Sequence, residues 1–133
     1  MPFGNIWTCT QCGYSVRTSG VWEYYIDKHG RPQRYGHPYP NSRAAKKSGV
    51  KGFTQEGYCP SCREVRDVIV AKFALPLNGS LEALLAFDNP DIKHQEFPPI
   101  CDKCNIPLKD NLEGELCPKC NLGHFEESGR FMS

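Results

Sequence analysis

Apolar and polar positions alternate in short runs over the first two thirds of the chain, the period that suits half-buried strands. Residues 5–16 predict a strand, a cysteine turn and a second strand, with Ile6, Trp7, Tyr14 and Val16 as the β-prone positions. VWEYYI, Val21 to Ile26, continues in that manner, and Val65 to Leu75 is β-branched enough to predict another strand. The Gly and Pro residues from Gly30 to Pro40 interrupt regular structure, because Pro lacks an amide donor and Gly costs backbone entropy. Ser42 is a cap for a short helix through Ser48, with Lys46 and Lys47 at the negative end of its dipole and Gly49 as its stop.

Residues 76–96 change character. Ser80 is expected to cap SLEALLAF, which puts Leu81, Leu84 and Leu85 on one face, and Asp88-Asn89-Pro90 ends it. From Phe97 onward there are too few apolar residues for a core, so the tail is expected to depend on its cysteines. The most apolar run, Val68 to Leu77, is short and broken by Lys72 and Pro76, so no membrane span is predicted.

In 133 residues there are eight cysteines, in four identically spaced pairs: Cys9/Cys12, Cys59/Cys62, Cys101/Cys104 and Cys117/Cys120. A disulfide framework belongs to secreted chains, and the opening MPFGNIW has neither a basic nor an apolar leader region, so a cytoplasmic setting with reduced thiols is expected. Two cysteines three apart place both sulfurs on one side of a tight turn, and two such turns supply the tetrahedral thiolate cage that zinc accepts. Four turns give two zinc ions per chain. Residues after each second cysteine are Gly13, Arg63, Asn105 and Asn121, and all but Arg63 adopt a positive φ readily. Sequential pairing is favoured because twelve residues separate Cys104 from Cys117, which lowers the closure entropy by about 1–2 kcal/mol. An interleaved cross-brace, first turn with third and second with fourth, is the alternative.

The motifs CTQCGY and YCPSC resemble the knuckles of zinc-ribbon and rubredoxin-like folds, and CDKC…CPKCNLGHFEE is similar to compact ribbons found in proteins that bind nucleic acids or other proteins. This resemblance implies a small metal-stabilised β-rich protein: two zinc-ribbon-like modules, residues 1–75 and 97–133, joined by a short helical connector over 76–96. Arg63 in place of Gly and the long insertion between the first two knuckles depart from the rubredoxin pattern, which argues against an iron electron carrier.

The net charge of +1 conceals a division. Residues 1–75 carry eleven Lys/Arg against five Asp/Glu, and residues 76–133 five against ten, which is +6 and −5. Seven of the cations fall between Lys28 and Gly52 without a single acid. Arg31, Arg34, Arg43, Lys46, Lys47 and Lys51, with Tyr35 and Tyr39 among them, are the candidate anion-binding face, and its partner is either a nucleic acid, another protein or the chain's own acidic half. Trp7, Trp22 and Tyr58 are expected in the core around the first metal site. His29, His37, His94 and His124 lack the spacing of a further metal motif, and His124 is the best placed to reach a thiolate near Cys120. With eight thiolates closing both sites, no position is left open for catalysis and no small-molecule substrate is evident. The reading is therefore a non-catalytic zinc-binding adaptor for protein or nucleic acid, with a rubredoxin-like or dithiol redox protein as the alternative.

Overall fold

The computed structural model describes residues 3–37, 39–86, 89 and 91–132. Among these residues seven strands and two six-residue helices follow the order β1 (Phe3–Cys9), β2 (Ser15–Ile26), β3 (Pro32–Arg34), α1 (Arg43–Ser48), β4 (Val50–Cys59), β5 (Glu64–Leu77), α2 (Ser80–Leu85), β6 (His94–Glu96) and β7 (Phe125–Met132). Hydrogen bonding orders the strands β6-β5-β4-β2-β1-β7, with β3 on β2. The chain forms two compact units, residues 1–20, 55–68 and 99–133 in the first and residues 21–54 and 69–98 in the second. Each unit is discontinuous in sequence, where the sequence reading set contiguous segments of 1–75, 76–96 and 97–133.

In the first unit β1 lies antiparallel between the beginning of β2, from Phe3↔Gly20 to Thr8↔Ser15, and β7, from Phe3↔Met132 to Cys9↔Phe125. Trp7, Cys9, Tyr58, Leu112, Cys117 and Phe125 make its core. The tail thus has a hydrophobic core after all, shared with the N-terminal strand: Leu112 and Phe125 are fully buried, each contributing about 1.5–3 kcal/mol. Tyr58 and Lys109 exchange backbone bonds of 2.7 and 2.8 Å, which joins β4 to the tail. Burying the Trp7 indole requires a partner for its N–H. Thr18 provides one at 3.0 Å and passes its own proton to the Asp110 carbonyl at 2.9 Å.

The second unit packs Tyr25, Tyr35, Val50, Phe53, Ala71, Phe73 and Leu77 with Ala45 of α1 and Ala83 of α2. Phe53 and Phe73 meet edge to face at 5.6 Å. A Cβ on Gly52 would collide with the Ala71 carbonyl, so β4 and β5 approach this closely because that residue has no side chain. Helix α1 forms as its sequence predicts, with Ser42 Oγ accepting from Ala45 N at 3.1 Å and Gly49 at φ 74° closing it.

Three expectations for this unit need correction. The Gly/Pro stretch is not wholly irregular: Pro32–Arg34 pairs with β2 at an edge, where a missing amide costs no ladder bond. Gly79, rather than Ser80, is the N-cap of α2, and Asn78 N bonds the Glu82 carboxylate at 2.9 Å. Residues 76–96, expected as a connector, fall within this unit. The Leu81 and Leu84 side chains, Asp88 and Pro90 lie outside the described residues, while Leu85 is exposed. No helix among the described residues is long and apolar enough to cross a membrane.

Candidate metal centres

All four CxxC turns close the same way. The residue after the second cysteine donates its N–H to the carbonyl of the first: Gly13 to Cys9 at 3.2 Å, Arg63 to Cys59 at 2.7 Å, Asn105 to Cys101 at 2.9 Å and Asn121 to Cys117 at 3.0 Å. That closure demands a left-handed residue, and the four have φ of 77°, 60°, 61° and 60°. Asn and Gly adopt it at little cost, whereas Arg63 holds it against its own Cβ. Backbone N–H groups also point at sulfur, from Cys62 to Cys59 at 3.3 Å, Cys104 to Cys101 at 3.4 Å and Gly123 to Cys120 at 3.4 Å.

The turns pair in a nested order. Cys9, Cys12, Cys117 and Cys120 form an outer quartet, and Cys59, Cys62, Cys101 and Cys104 an inner one, the sulfurs of each lying within 4.8 Å of one another. This corrects the sequential pairing expected from loop length and also differs from the cross-brace. The entropy advantage of short loops was only about 1–2 kcal/mol. Pairing β7 with β1 buries Phe125 against Trp7 and Tyr58 and carries the fourth knuckle to the first, a gain that exceeds the closure cost.

Sulfur separations of 3.6 Å (Cys9–Cys120), 3.7 Å (Cys12–Cys117) and 3.7 Å (Cys62–Cys101) approach the edge of about 3.8 Å of a tetrahedron with 2.3 Å metal–sulfur bonds. Cys62 and Cys104 are nearer, at 2.8 Å. Proton affinities diverge within the quartets: the Gly123 and Leu122 amides lower Cys120 to about 6, whereas contact with the Cys104 thiol and burial push Cys62 up. Four thiolates cannot ionise side by side unaided, and a cation among them removes that conflict. Both groups could therefore hold metal ions.

Sequence reasoning did not single out Gly123, nor the part played by the Arg63 side chain. A Cβ on Gly123 would stand 2.5 Å from Cys9 Sγ and 2.8 Å from Gln11, so the fourth knuckle reaches the first only through a glycine. Arg63, beyond its φ, sends its guanidinium from the inner quartet to the outer one, donating to the Cys117 carbonyl at 3.2 Å and to Asn121 Oδ1. A non-glycine at a knuckle's left-handed position was the available signal for Arg63; Gly123 had none.

No histidine joins a metal group among the described residues. His124 has an exposed side chain and is tied down through its backbone to Thr10. His29 is exposed, His94 meets Phe73 edge to face near Glu96, and the His37 side chain is buried on Glu23 at 3.2 Å.

The structure divides the expected anion-binding residues. Tyr35 is 3% exposed and belongs to the second unit's core, with its phenol pushed up by burial and by the Glu23 carboxylate, so it is no ligand-facing ring. Arg34 is half-buried with its guanidinium 4.3 Å over Trp22. Trp22 belongs to the second unit and is not part of the metal-site core that Trp7 and Tyr58 do occupy. Arg31, Arg43, Lys46 and Lys47 are exposed, Lys51 is half-buried and Tyr39 is 78% exposed. Asp27 folds the start of the insertion by accepting from Arg31 N and His29 N, both at 2.9 Å, and these bonds hold its carboxyl below the usual range.

Comparison with protein-family models, with curated proteins and with solved structures finds no match to the chain.

Proposed function

We propose that the protein is a non-catalytic, zinc-stabilised binding module that takes nucleic acid on the cations of its 28–52 insertion. Each quartet would hold one zinc as a zinc-ribbon-like site, with the four thiolates leaving no coordination position for substrate. The observation that carries the choice of partner is the state of the charges. Outside the insertion Arg66 is matched with Glu64 and Asp102, Lys109 with Glu115, Arg130 with Glu127 and Arg17 with Glu56, and the lysines without a carboxylate at ion-pair distance among the described residues, Lys72, Lys93, Lys103 and Lys119, are scattered along the chain. Arg31, Arg43, Lys46, Lys47 and Lys51 have no carboxylate at ion-pair distance among the described residues. Five such cations in one stretch are the charges that an external polyanion would neutralise.

Metal analysis is expected to give two zinc ions per chain, and iron in their place would favour electron transfer. Binding is tested by fluorescence anisotropy of a labelled oligonucleotide across a salt series. Affinity should fall as salt rises, and replacing Lys46 and Lys47 with Ala should flatten the log–log slope by about 1.4, at roughly 0.7 per single-strand phosphate contact. An oligonucleotide that stays unbound even at low salt refutes the reading.

A further inference from the structure

We propose that the nucleic acid is single-stranded and that Tyr39 is the residue on which one of its bases stacks, an inference that rests on the nucleic-acid reading above. The turn carrying this residue is anchored from both sides. Before it, Tyr35 N bonds the Glu23 carbonyl at 2.9 Å and the Tyr35 ring is buried. His37 then sinks its imidazole onto Glu23, their side chains being 7% and 2% exposed. After it, Asn41 returns its N–H to the Tyr35 carbonyl at 2.7 Å and its side-chain amide to the Arg34 carbonyl at 2.8 Å. Gly36, at φ 107°, passes so close to the Tyr39 carbonyl that a Cβ would collide with it.

Burying a carboxylate to anchor a surface turn is costly, yet the tyrosine that the turn carries is left in water. A neighbouring aromatic of the same stretch, Tyr35, shows that burial was available. Four residues beyond Tyr39 begins the exposed series Arg43, Lys46 and Lys47, which have no carboxylate at ion-pair distance among the described residues. An exposed ring on an anchored turn, a few residues from phosphate-neutralising cations, is an arrangement that suits unpaired bases, because every base has a face to stack and only single strands offer that face. A duplex keeps its bases stacked on one another and would use the cations alone.

The experiment uses the full zinc-loaded chain, with a labelled twelve-nucleotide single strand and the same sequence as a duplex. Tyr39→Ala is expected to weaken single-strand binding by about tenfold with an unchanged salt slope, and Tyr39→Phe to retain it, since the ring and not the hydroxyl stacks. The exposed position makes folding of these variants uneventful, checked by an unchanged melting temperature. Equal affinity for duplex and single strand, or a Tyr39→Ala variant that binds normally while Lys46 and Lys47 still matter, overturns the stacking role and leaves the nucleic-acid reading in place. If the chain binds neither oligonucleotide, both readings fall together.

Discussion

Replacing Arg63 by glycine should leave the protein more stable than replacing it by alanine. Two effects meet at this residue. Its backbone sits at φ 60°, which costs arginine or alanine about 1 kcal/mol relative to glycine. Its guanidinium donates to the Cys117 carbonyl and to Asn121 Oδ1, bonds that involve a charged donor but lie partly in solvent, together worth about 1–2 kcal/mol. Arg63→Ala loses the bonds and keeps the strain, so a destabilisation of about 1–2 kcal/mol is expected. Arg63→Gly loses the same bonds but recovers the strain, for a net change of about 0–1 kcal/mol. Urea unfolding of the zinc-loaded variants, followed by tryptophan fluorescence, reads both against the parent. Equal midpoints for Ala and Gly would refute the strain argument, and an Ala variant as stable as the parent would show that the bridge to the outer quartet contributes nothing.

Gly123→Ala should drive a methyl into Cys9 Sγ at 2.5 Å, and, if each quartet holds one metal ion as proposed, the metal content is expected to fall towards half that of the parent with the outer quartet emptied; an unchanged content would mean that the knuckles can spread without loss. His37→Ala leaves Glu23 with no side-chain partner on Oε1, when Oε2 already has none, and removal of one member of so buried a contact is expected to cost about 3 kcal/mol, read as a lowered urea midpoint; a shift under about 1 kcal/mol would show that water reaches the carboxylate.

The local chemistry of the knuckles was legible because it is local. Cysteine spacing, the left-handed residue that follows and the Ser42 to Gly49 helix each depend on a few adjacent residues, and the structure has them as the chain implies. Pairing was not legible, since it is decided by which strands share a core. Nothing in the sequence near Cys117 says that Phe125 will pack on Trp7, and loop length, the quantity that sequence does offer, is worth too little to decide the matter. Tyr35 and Tyr39 make the same point at shorter range. Both sit among Gly, Pro and Arg, and their fates diverge because the Glu23 carbonyl and carboxylate, fourteen residues from His37, draw one side of the turn inward.

Nesting also sets the order in which a chain leaving the ribosome can gather its ligands. The inner quartet is complete once Cys104 has emerged, whereas the outer one holds Cys9 and Cys12 waiting for Cys117 and Cys120. At 5–20 residues per second the interval between the two is about one to three seconds. Throughout it the N-terminal knuckle exposes two thiols without their partners, open to oxidants and to stray metal, and a nascent chain that stops short of Cys117 never closes that window.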